Sequence, residues 1–72
     1  MRAKAPPLPA MIRLRRAEAG LTQVEAADLI HKSLDGYRGY ERGRRKMALT
    51  IWELFRIKTQ PFINSQQQKG SG

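Results

Sequence analysis

Apolar residues recur along this chain in four separate bursts, each at the spacing of about 3.6 residues that lines one face of a helix. Between the bursts stand glycines, prolines and short polar side chains. Residues 1–8, with Pro6 and Pro7 in succession, read as a flexible extended arm, because neighbouring prolines hold the backbone out of the helical region. Pro9 suits a first helical turn, where its missing N–H costs nothing. Met11, Ile12, Leu14 and Ala17 follow as one stripe, and Gly20 ends it as a left-handed cap. Thr22 and Glu25 form a capping box for a second helix, which buries Ala26, Ala27, Leu29 and Ile30 and ends near His31–Lys32.

Ser33 is the N-cap of a third helix running to about Arg42. Leu34, Tyr37 and Glu41 share its inner side, bordered by Tyr40. Lys32, Asp35, Arg38, Gly39 and Arg42 share the outer one. Gly43 closes it before a basic loop, Arg44-Arg45-Lys46. The fourth helix, from about Ala48 to Lys58, is apolar on two sides: Leu49, Trp52 and Phe55 on one, Ile51, Leu54 and Ile57–Lys58 on the other. A surface helix needs one buried stripe, so the surplus at Ile51, Leu54 and Lys58 predicts a second subunit. Pro61-Phe62-Ile63 reads as a short hook that packs back, and 64–72 as a disordered tail with nothing to bury. The domain thus spans 9–63.

Composition narrows the function. Seventy-two residues permit one domain, and fourteen Lys+Arg against six Asp+Glu give a formal charge of +8. That field suits a polyanion. With no cysteine and one histidine, disulfides, zinc–thiolate sites and a histidine metal cage are excluded. No nucleophile–base pair or glycine-rich phosphate loop is present, so neither an enzyme nor a small-molecule substrate is expected. No cofactor or metal is expected either. No apolar run approaches the ~18–20 residues of a membrane span, and proline follows the first basic residues where a signal peptide would be apolar. The expectation is a cytoplasmic protein. A basic amphipathic membrane binder fits less well, because caps and glycine stops divide the helices.

Two short helices joined by a tight turn can set one helix in the major groove while the other spans the backbone. Thr22 and Gln23 lie at a helix N-terminus, where free N–H groups favour phosphate; plain capping is the alternative. On helix three, Arg38 has the fork for guanine, Asp35 can accept from a cytosine amino group, and Ser33 and Leu34 lead the helix. Leu34 serves equally as core, and Arg38 equally as a phosphate contact. Lys32, Arg42, Arg44, Arg45 and Lys46 supply phosphate contacts that fix register without reading sequence. Gly36 and Gly39 each cost about 1 kcal/mol against alanine, which leaves two reasons open: close approach to DNA, or tight packing on a neighbour. Tyr37 and Tyr40 read as core rather than as base-stacking residues. Arg2 and Lys4 could track a groove, or the arm could stand aside.

The run from Gly20 to Ser33, Gly-Leu-Thr-Gln-Val-Glu-Ala-Ala-Asp-Leu-Ile-His-Lys-Ser, followed by Tyr-Glu-Arg-Gly at 40–43, resembles the Cro/CI-type (XRE) helix-turn-helix family over about residues 12–58. The resemblance implies an all-α, compact four- to five-helix domain of the lambda repressor-like DNA-binding fold. It implies a phosphate contact at Gln23 and an ion pair between Arg16 and Glu41; Arg13 and Arg15 read as solvated or as peripheral phosphate contacts. His31 stands where the family has a turn glycine, and Lys32 where it has an apolar residue, which implies an altered turn ahead of helix three. Short basic members with Ala-Ala in helix two and Trp-Glu-Leu in helix four, as here, resemble the anti-CRISPR-associated regulators of phages and mobile elements. Those repress their own operons as dimers on inverted repeats. The partners so implied are double-stranded DNA and a second copy of the chain. An antitoxin built on the same fold is the alternative.

Overall fold

A computed structural model describes residues 5–68, which form four helices in the order α1 (Pro9–Ala19), α2 (Gln23–Leu29), α3 (Leu34–Arg42) and α4 (Leu49–Gln68). The first three stop in the same way. Gly20, His31 and Gly43 take left-handed φ values of 71°, 58° and 80°. At each, the next residue's N–H reaches back to a carbonyl inside the helix: Leu21 to Arg16, Lys32 to Ala27 and Arg44 to Gly39. This is the Schellman closure, which satisfies carbonyls that the helix leaves orphaned. His31 therefore takes the same left-handed cap as Gly20 and Gly43, and α3 starts at Leu34 with the Ser33 hydroxyl accepting from Gly36 N–H at 3.1 Å. The departure from the family pattern resides in local backbone strain, since a side chain at φ 58° is disfavoured.

Ile12, Ala26, Ala27, Ile30, Tyr37, Tyr40, Met47, Trp52 and Phe55 make one core drawn from all four helices and the α3–α4 loop. Alanines at 26 and 27, both fully buried, let α2 lie close against its neighbours. The rings of Tyr37 and Phe55 meet edge-on at 5.9 Å, and those of Tyr37 and Tyr40 at 6.5 Å, the geometry aromatic quadrupoles favour. Both tyrosines are core residues. Leu49, Ile51 and Leu54 are half-buried and pack against this cluster, so part of the surplus apolar surface of α4 is used within the subunit.

The C-terminal third departs most from the sequence pattern. α4 does not end near Lys58; it passes through Pro61 and continues to Gln68, so 61–63 is no hook and 64–68 no unstructured tail, while 69–72 lie outside the described residues. Trp52, Phe55, Thr59 and Ile63 are all buried, and their 3–4 residue spacing is one helical stripe that extends past the proline. Pro61 has no N–H for the Ile57 carbonyl, and its ring crowds the preceding turn. Two sets of bonds tie down the turn that precedes it. The Thr59 hydroxyl donates to the Phe55 carbonyl at 2.6 Å, and the Arg15 guanidinium crosses from α1 to donate to the Arg56 carbonyl at 2.8 Å, Thr59 Oγ1 at 2.9 Å and Gln60 Oε1 at 3.0 Å. Arg15 is therefore a clamp between α1 and α4, not a solvated arginine. At the N-terminal end, Pro7 is buried, so the arm is anchored there, while Arg2 and Lys4 lie outside the described residues.

Candidate nucleic-acid interface

α2, the Schellman turn and α3 set one face of α3 outward. Its residues Asp35, Arg38 and Arg42 are exposed, with the Asp35 side chain 85% accessible. Lys32 sits exposed in the turn before it, and Arg44, Arg45 and Lys46 sit exposed in the loop after it. Ser33 and Thr22 are accessible, but their hydroxyls accept from Gly36 N–H and Glu25 N–H at 3.1 Å each. In return the Glu25 carboxylate accepts from Thr22 N–H at 2.8 Å. Leu34 is half-buried at the leading end. The structure thus brings Lys32, Asp35, Arg38 and Arg42 onto one surface with the basic loop.

Beneath that surface lies a polar network. Glu41, 3% exposed, accepts from Arg16 Nε at 2.6 Å and Arg16 Nη2 at 3.2 Å. Arg16 Nη1 also donates to the Leu21 carbonyl at 3.1 Å, so one guanidinium ties α1 to the start of α2 and the end of α3. Arg13 Nη1 adds a bond to the Glu41 carbonyl. Burial by itself pushes the Glu41 carboxyl up. Hydrogen bonding by Arg16, with smaller contributions from the Tyr37 hydroxyl and Gln23, more than reverses this and leaves it below the usual carboxylate range. The hydrogen bond to Glu41 correspondingly raises the Arg16 guanidinium. The Tyr37 hydroxyl lies near enough to feel both charges but makes no hydrogen bond of good geometry; desolvation, more than its neighbours, drives its titration far upward.

Gln23 links this network to the outer face. Its Nε2 donates to Glu41 Oε1 at 3.0 Å, and its Oε1 accepts from Arg38 Nε at 3.3 Å. The side chain is half-buried and engaged on both ends of its amide. Sequence reasoning placed Gln23 against phosphate and did not foresee this bridge, because the only signal was an amide residue one position past a cap. With Nε held, Arg38 keeps its two terminal nitrogens for an external acceptor.

The two glycines of α3 have different surroundings. A Cβ on Gly36 would meet only the Ser33 hydroxyl, at 3.2 Å. On Gly39 it would stand 3.2 Å from Arg45 Cβ, 3.6 Å from Arg45 Nε and 3.8 Å from Arg45 Cδ. Gly39 is buried although it falls on the outward side, because the Arg45 side chain lies across it. Its carbonyl also accepts both Arg44 N–H, at 3.0 Å, and Arg45 N–H, at 3.2 Å. Packing on a neighbour, the loop, accounts for Gly39.

An all-α domain with a capped, outward-facing third helix flanked by a turn and loop of basic residues defines a DNA-binding transcription regulator of the helix-turn-helix class. The Helix-turn-helix family model matches residues 12–56, and the chain belongs to that family, in its XRE-type branch. No curated protein matches the sequence. Among the described residues no helix is long and apolar enough to cross a membrane.

Proposed function

We propose that this chain is a sequence-specific transcriptional repressor that binds an inverted-repeat operator as a homodimer. The outward face of α3, where Asp35 and Arg38 stand free of the core, carries the reading. It enters the major groove, with Ser33 and Leu34 at the leading end. Lys32, Arg42, Arg44 and Lys46 then flank it toward the phosphates, and the N-termini of α2 at Thr22 and Gln23 approach the backbone. Repression follows from occupancy of a promoter. The anti-CRISPR-associated regulators supply the narrower setting: autorepression in an operon of a phage or mobile element.

The second subunit docks on the flank of α4 that carries Ile51, Leu54 and Lys58. The half-burial of Ile51 and Leu54 leaves apolar area there, and Phe62, 40% exposed, extends the same stripe at the next helical spacing beyond Lys58. The sequence pattern places Phe62 in a packed hook. Its exposure follows from the continuation of α4 through Pro61.

Selection of bound duplexes from a random DNA library tests this reading. The expected product is a palindrome whose half-site centres lie about one helical turn, ~34 Å, apart. Enrichment of no motif would refute sequence-specific binding, and an asymmetric single site would refute the dimer. Leu54→Glu should yield monomers by sedimentation and lose cooperative binding to the palindrome; unchanged mass would remove α4 from the interface.

A further inference from the structure

The face of α3 that meets the groove is poor in long polar side chains. Leu34 is half-buried, Asp35 is short, and Gly36 and Gly39 carry no side chain. At about 100° per residue Arg42 lies nearly in line with Asp35 two turns on, Arg38 falls to one side of that line, and Gly39 falls to the other. That side is not empty. The α3–α4 loop turns back at Gly43, its Arg44 and Arg45 amides bond to the Gly39 carbonyl, and the stem of Arg45 runs across the helix where a Gly39 side chain would be. Arg44 follows the same course, with Nη2 4.0 Å from the Asp35 carboxylate at the leading end of α3. Arg45 itself is exposed.

We infer that Arg45 is a base-reading residue of this protein: a guanidinium from the loop, laid over Gly39 onto the groove face of α3, that recognises a guanine next to the base pair Asp35 faces. This rests on the placement of α3 in the major groove. It revises the phosphate role that the sequence assigns to Arg45. Three features combine in it. The glycine removes the side chain that would lift the stem off the helix. The two amide bonds to Gly39 fix where the stem begins. The planar fork then offers two parallel donors to the O6 and N7 of guanine. Asp35, exposed beside the loop arginines, balances their charge without neutralising both.

The experiment uses the full chain and the duplex selected by the wild-type protein from random DNA, together with every single base-pair substitution of that duplex. Arg45→Ala should erase discrimination at one base-pair position of the repeated motif, reducing a preference of roughly 5- to 150-fold to within about twofold. Discrimination elsewhere should persist. Arg45→Lys should lose the same preference, because a point charge does not replace the fork. Gly39→Ala, with helicity checked by circular dichroism, should shift the same position by displacing the stem. The inference is overturned if Arg45→Ala weakens all duplexes by the same factor and lowers the slope of log affinity against log salt by about one, which is the mark of a phosphate contact. It is also overturned if every position keeps its wild-type preference. Failure of the wild-type chain to select any motif would instead remove the sequence-specific reading itself.

Discussion

Replacing Glu41 with alanine should unfold this domain more readily than any other single change at the polar network. Glu41 is 3% exposed and is the acceptor for both Arg16 and Gln23. Its removal leaves the Arg16 guanidinium with the Leu21 carbonyl alone and frees one end of the Gln23 amide. Breaking one partner of a buried pair costs about 3–5 kcal/mol. Arg16 is 24% exposed and can rehydrate in part, which brings the expected loss to about 2–3 kcal/mol. For a domain of this size each kcal/mol moves Tm by about 4–8 °C, so a fall of about 10–20 °C is expected. Urea unfolding followed by circular dichroism gives the free energy, alongside Arg16→Met and the double variant Arg16→Met/Glu41→Leu. The double variant should lose at least 1 kcal/mol less than the sum of the two singles, because it leaves no stranded charge. A loss below about 0.5 kcal/mol for Glu41→Ala, or strict additivity, would refute the argument that these groups act as one unit.

Pro61→Ala should raise stability by about 1–3 kcal/mol in the same assay, since it returns an N–H to the interior of α4. No gain would mean that the stiffer unfolded chain proline confers balances the missing N–H. His31→Gly should stabilise by about 0.5–1 kcal/mol, because His31 is exposed and its only cost is the left-handed backbone; destabilisation would show that the imidazole makes a contact of its own. The depressed Glu41 carboxyl contributes stability that is fully present above its unfolded value of about 4.3 and lost as pH falls through its lower folded value. The urea midpoint should therefore hold steady from about pH 7 to 5 and drop below about pH 4. Glu41→Gln should flatten the part of that drop due to this group, and an unchanged profile would assign the drop to other carboxylates.

The sequence determined the beginnings of the first three helices and the ends of α1 and α3. Thr22 with Glu25, Ser33, Gly20 and Gly43 act on backbone groups within a turn of themselves, so their effect is legible without knowing the fold. Polar–apolar alternation likewise exposed Asp35, Arg38 and Arg42 together, since they share one face of a single helix. The tertiary structure decided what depends on residues far apart in the chain. α4 outlasts Pro61 because its buried stripe continues through Ile63, and Arg15, 45 residues before Gln60, ties the turn ahead of the proline to α1. Gln23 is bound to Glu41, 18 positions on, before any phosphate reaches it. Arg45 lies across the outer side of α3 because Gly39 leaves room there. Local capping energies are written in neighbouring letters; the roles of long polar side chains are set by which acceptors folding brings within their reach.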